Sequence, residues 1–343
     1  MKKTHYLVLG LIACFMVSLG LIQPRLNKIM IDDDETVYSL LQKLGDTPAN
    51  HEVNESISGV SAKSGENLIK NGFSLNTYGK RKGTKQSKFF VCTSCHNLQR
   101  EDPDLTVSDP EQRLEYVVEN DLPLLQATTL WGAVNRETFY NGDYLKKYGD
   151  LVKAARNDMR KAIQLCATEC AQGRPLADWE VESILAYLWT LEMDLEDLGL
   201  NAEKQANLDS RLDDPAGYPN LISDIKKQYL TGSPATFHDA PENRKAGFAY
   251  EGRPEKGQLV YDHSCKHCHE NARYSFFELD DSKASFRFLK NHFVKYTRYS
   301  TYHVTAYGAP SRPGKRAYMP HYPLEKLSLQ QIEDLRAFFE SKL

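Results

Sequence analysis

The stretch Cys92-Thr93-Ser94-Cys95-His96 recurs, with the same two cysteines and the same histidine, as Cys265-Lys266-His267-Cys268-His269, 173 residues further on. Cysteines separated by two residues carry both thiols on one turn of chain, and the adjoining histidine adds an imidazole beside them. Three chemistries use such a pair: zinc binding, thiol redox exchange and attachment of a haem. Zinc needs more cysteine or histidine ligands at suitable spacing, and none surrounds the first motif. The histidine that follows at once favours haem attachment.

In such sites the two thiols add to the porphyrin vinyl groups as thioethers, and the imidazole becomes the proximal iron ligand. Two c-type haems are therefore the expected cofactors. Cys92, Cys95, Cys265 and Cys268 are the expected attachment residues, and His96 and His269 the expected iron ligands. The repeat predicts an all-α chain with two cytochrome c-type haem domains in tandem, over 61–200 and 251–343. A strap over 201–250 joins them, with a short helix near Leu221–Leu230, and a polar tether over 25–60 precedes them. The 343 residues, 41% of them hydrophobic, suffice for about two domains of ordinary size. A net charge of −3 argues against a nucleic-acid partner, whose backbone attracts basic surfaces.

Lys2 and Lys3 precede an uncharged run from Tyr6 to Ile22, which reads as an anchor or signal segment over 1–24. The leading positive charge keeps that end in the cytoplasm and sends the body across the inner membrane. The expected location is periplasmic, anchored by this segment; the alternatives are a cleaved signal or a lipoprotein attached at Cys14.

Near the C-terminus, Ser328 and Gln331 form a capping box and Leu327 can staple onto Ile332. Ile332, Leu335, Phe338 and Phe339 then make one apolar stripe. The stretch from Lys256 through the second motif reads as a helix with Leu259 and Val260 on its apolar side. Leading and closing helices of this kind pack across one another in small c-type cytochromes, which this unit resembles. Met319, just before Pro320, is the expected sixth ligand, because a thioether suits haem iron; His292, His303 and His321 compete for that role.

The first unit has no histidine between Asn97 and Leu200, so a sixth ligand from its own domain must be sulfur, lysine or a less usual group; the candidates are Met159, Met193, Cys166 and Cys170. Met159 falls on a stretch, 151–166, that reads as a helix, and Met193 reads as packing. The closing helix is "WEVESILAYLWTL", whose buried face is Val181, Ile184, Leu185, Leu188 and Leu191. Residues 130–151 are rich in aromatics. They read as a loop over the porphyrin; alternatively Arg136, Tyr140, Tyr144 and Tyr148 line the haem edge.

The segments "GENLIKNGFSLNTYGKRKG…VCTSCH" and "RKAIQLCATECAQGRPLADWEVESILAYLWTL" resemble the first domain of thiosulfate dehydrogenases, which are dihaem cytochromes c. Ile163, Cys166, Gly173 and Leu176, followed by Ala186-Tyr187-Leu188, carry the resemblance. It implies that Cys166 is the distal ligand of a catalytic haem and that the second haem is the electron exit. Where that family has an arginine three residues after the cysteine, this chain has Glu169. A Cys166–Cys170 disulfide is the alternative in an oxidising compartment.

Two functions follow as expectations. One is electron transfer between the two haems and a redox protein partner: a cytochrome, a quinol-linked complex or a terminal oxidase. The other is oxidation of a small anionic sulfur compound at the first haem, with Cys166 catalytic. A peroxidase ranks last, for want of a peroxide-handling pair.

Overall fold

The computed structural model describes residues 29–76, 78–311 and 318–343. The apolar run Tyr6–Ile22 and Cys14 lie outside these residues. No helix among the described residues is long and apolar enough to cross a membrane. Helix accounts for 47% and strand for 3%, so the chain is mostly helical, in keeping with the all-α class expected.

In chain order, the helices of seven residues or more are α1 (Val37–Lys43), α2 (Ala62–Asn71), α3 (Pro110–Glu119), α4 (Met159–Leu165), α5 (Asp178–Leu188), α6 (Ala202–Arg211), α7 (Tyr218–Lys226), α8 (Pro254–Val260), α9 (Lys283–Phe293), α10 (Thr301–Tyr307) and α11 (Leu329–Ser341). One small hairpin, Ser74–Leu75 against Arg81–Lys82, follows α2.

Local signals set the ends of the key helices. Ser61 caps α2 through its hydroxyl, and Gly72 closes it in the left-handed conformation, φ 73°. The capping box of α11 forms as the sequence predicts: Ser328 Oγ accepts from Gln331 N at 3.1 Å, and Gln331 Oε1 accepts from Ser328 N at 2.9 Å. Its stripe of Ile332, Leu335, Phe338 and Phe339 is buried, as are Val181, Ile184, Leu185 and Leu188 of α5. Leu191, expected on that face, falls in the 3₁₀ turn after it and is partly buried.

The two units share one construction principle. α2 crosses α5, and α8 crosses α11. At each crossing the leading helix carries a glycine. A Cβ on Gly65 would sit 1.8 Å from Ser183 O, and one on Gly257 would sit 1.9 Å from Asp334 O. Helix backbones this close exclude every side chain, which explains a residue that otherwise weakens a helix interior.

Three apolar cores result. The first gathers α2, α4 and α5 around Leu68, Ile69, Met159 and Leu185. The second gathers α8, α9, α10 and α11 around Tyr261, Phe293, Tyr302 and Phe339. The third joins α1, α6 and α7 through Leu40, Leu208, Leu221 and Ile225.

That third core departs from the expected organisation. The segment read as a tether contains α1, whose Val37 and Leu40 are fully buried. The segment read as a strap contains α6 and α7, and both face the same core as α1. Helix α6 buries only Leu208, so no stripe marks it in the sequence, whereas α7 overlaps the short helix expected near Leu221–Leu230 and turns Leu221 and Ile225 inward. Helix α3 also departs from expectation. It falls in the first unit by sequence, yet Leu114 and Val117 pack into the second core. Arg253 locks it there, bonding Asp334 at 2.6 Å and Glu111 at 2.7 Å. The stretch 151–166 is broken before α4, whose N-cap is Asp158.

Gly257→Ala should lower stability by about 1–3 kcal/mol, since the added methyl forces α8 and α11 apart. Denaturant unfolding would measure it; an unchanged midpoint would refute the glycine-dependent crossing.

Candidate haem-attachment site

Both motifs sit on a single turn. The first is a 3₁₀ turn, Cys92–Ser94, with His96 N bonded to Cys92 O at 3.0 Å. The second continues from α8 through a π turn, Tyr261–Cys265, into the helical turn Lys266–His269. The helix expected from Lys256 is therefore continuous in path but wound more loosely before Cys265.

Each motif histidine is held the same way. His96 Nδ1 lies 2.6 Å from Thr128 O, and His269 Nδ1 lies 2.8 Å from Phe277 O. A carbonyl only accepts, so Nδ1 carries the proton in both and Nε2 keeps its lone pair for a metal. Burial holds both imidazoles below the usual histidine range, which keeps them neutral at pH 7. Burial likewise raises the thiols: Cys92 and Cys268 to about 11, Cys265 to about 12, and Cys95 higher still. Among the described residues no three His, Cys, Asp or Glu side chains form a group able to hold a metal ion. A haem brings four nitrogens of its own, so each motif's two thiols and oriented imidazole fit it without such a group.

The two motifs lie close together. The His267 ring approaches the backbone of Ser94, and Cys268 lies within electrostatic reach of Cys95. Residues 122–130 run between them. Leu124 N donates to His263 O at 2.9 Å, while Leu130 N donates to Asn97 O at 2.8 Å.

A buried ion cluster fastens this junction. Glu101, fully buried, accepts from Arg113 at 3.1 Å, Lys326 at 2.9 Å, Asn97 at 3.0 Å and Thr129 N at 3.0 Å. Burial alone would raise its carboxyl, but the flanking Arg113 and Lys326 charges hold it below the usual range. Arg136 is close by, bonded to Thr129 O at 2.9 Å and Trp131 O at 3.3 Å, and burial pulls it down to about 10. It thus faces this junction and a small cavity of about 40 Å³.

Candidates for a sixth ligand separate by location. Met319 pairs with Ala309 by two backbone hydrogen bonds of 2.8 Å and packs on the second core, as Cys265 does. His321 instead meets Phe237 edge-on at 4.4 Å, His292 stacks on Phe288 at 3.8 Å, and His303 meets Tyr307 at 4.7 Å. Met159 is buried in the first core, and Met193 is buried in the third against Gly132. Cys166 and Cys170 occupy the two ends of a π turn within electrostatic reach of each other, with Cys166 also within reach of Cys92 and Cys95. Both are free thiols.

The cations nearest in sequence to Cys166 are otherwise engaged. Arg174 pairs with Glu180 at 2.6 Å and Arg160 with Glu182 at 2.5 Å, while Glu169 is exposed. Tyr140, Tyr144 and Tyr148 form a chain of rings, 5.8 and 6.0 Å apart, beside Phe237.

Sequence reading missed Glu101, Arg113 and Lys326. Residues 101 and 326 are too far apart for any local pattern to join them. A signal for the crossings was present, in the lone glycine inside each leading helix. No family model, no curated protein and no solved structure matches the chain, so its function is argued from these residues.

Glu101→Gln should cost about 3–5 kcal/mol, because two buried cations lose their counter-charge. The native carboxyl sits below its unfolded value near 4.3, so its stabilisation is full above that value and fades as pH falls below it. Thermal midpoints of the variant should accordingly decline less than wild type between about pH 5 and 3; parallel declines would refute the assignment.

Proposed function

We propose that this chain is a dihaem c-type cytochrome that transfers electrons between its two covalently bound haems and a redox protein partner. The closeness of the two motifs carries the reading, since electron exchange needs redox groups held close together. Each haem, when bound, supplies an iron that cycles between ferric and ferrous states. The chain's own residues do the rest. Cys92, Cys95, Cys265 and Cys268 hold the porphyrins. His96 and His269 bind iron through Nε2, oriented by Thr128 and Phe277. Met319 is the sixth ligand in the second unit and favours the ferrous state there. The body lies in the periplasm, anchored or exported by the N-terminal segment.

A second reading has one observation in its favour. Cys166 faces the first motif, as it does in the resemblance to thiosulfate dehydrogenases, where it would serve as a thiolate ligand at a substrate-oxidising haem. The paired states of Arg160 and Arg174 weigh against an anionic sulfur substrate. Electron carriage is therefore the preferred function.

Mass spectrometry of the denatured chain should find two haem masses retained; one or none would overturn the dihaem reading. Met319→Ala should lower the potential of one haem and abolish the weak far-red band of ferric methionine ligation. A redox titration with and without thiosulfate separates the two functions, because only the second predicts reduction by thiosulfate.

A further inference from the structure

Ligation of the first iron needs one sulfur, yet two stand together. Cys166 and Cys170 span a π turn closed by Ala171 N to Cys166 O at 2.8 Å. A π turn holds more than four residues, so side chains four apart lie more nearly one above the other than in an α-helix. The turn thereby places the two thiols side by side at its two ends, within electrostatic reach of each other. The Tyr140 hydroxyl donates to Ala162 O at 3.3 Å, from a loop that begins the ring chain toward His321. Both cysteines are partly exposed, which leaves them within reach of solvent-borne thiols.

We infer that Cys166 and Cys170 are a dithiol/disulfide centre that exchanges two electrons with the pair of haems. The inference rests on the proposed dihaem function and adds a site to it. Oxidation breaks both S–H bonds, forms the Cys166–Cys170 S–S bond and releases two protons. The two electrons pass singly to the two ferric irons, one to each. A small external thiol is the class of donor that restores the dithiol: two molecules exchange through a mixed disulfide and leave as their own disulfide.

The test uses the full-length, haem-loaded protein, equilibrated without oxygen in mixtures of reduced and oxidised dithiothreitol. Alkylation with iodoacetamide and peptide mapping then report the state of residues 166 and 170. The pair should pass from disulfide to dithiol within the range of mixtures. Ferricyanide-oxidised protein should consume four electron equivalents on reductive titration, two for the haems and two for the pair. Cys170→Ser and Cys166→Ser should each consume two, so either variant suffices if the other fails to fold. Two equivalents in wild type overturns the inference, whether both thiols alkylate in every mixture or neither does; the dihaem reading survives that result. A chain that retains no haem mass overturns the dihaem reading, and the electron path proposed for the pair falls with it.

Discussion

The relation between the two motifs depends on one carboxylate. Glu101 accepts from Asn97, the residue after His96, and from the amide of Thr129, the residue after the carbonyl that orients His96. Its other partners are Arg113, on a helix packed into the second core, and Lys326, two residues before the cap of α11. A single buried group thus joins the turn of the first motif to two elements of the second unit. Buried ion pairs add little net stability, because desolvating the charges offsets their attraction. What they supply here is a unique register, since any sliding of one unit over the other would strand a charge.

The balance of charge at that junction has a second consequence. Arg113 and Lys326 are buried and Arg136 half-buried within one neighbourhood, opposed by Glu101 and by Asp102, whose own carboxyl burial pushes up. Burial also lowers Lys326, which shows how little solvent reaches it to screen the field. On the proposed function, this positive surplus lies next to the first iron's histidine and favours an added electron there.

How much of this was legible in the sequence depended on the distance between cooperating residues. Ser328 and Gln331 are three apart, and their capping box could be read directly. The α11 stripe and most of the α5 face were equally legible, because a helix repeats its buried positions every turn. The candidate attachment residues declared themselves through adjacency. Helix α1 was hidden because "IDDDE" dominates its segment, although Val37, Leu40 and Leu41 follow at helical spacing. The displacement of α3 into the second core could not be read at all. Its partners Arg253 and Gln331 lie more than a hundred residues away, and only packing selects them. The π turn at Cys166 was hidden for a different reason: its five residues carry no backbone signature that distinguishes them from an ordinary helical end.

The exchange of α3 bears on how the two units behave as one. The second core is incomplete without Leu114 and Val117, and the chain returns from α3 through residues 122–130 to the first motif. A hinge between the units would have to break the Glu101 cluster, pull α3 out of an apolar core and part Leu124 N from His263 O. Those three ties are of different kinds: ionic, hydrophobic and hydrogen-bonded. No single change of salt, temperature or pH weakens all of them together. Relays between one-electron groups are sensitive to separation, and a fixed separation cannot be ensured by a flexible strap. The burial of α1, α6 and α7 in a shared third core serves the same end, because the segment linking the units is itself folded.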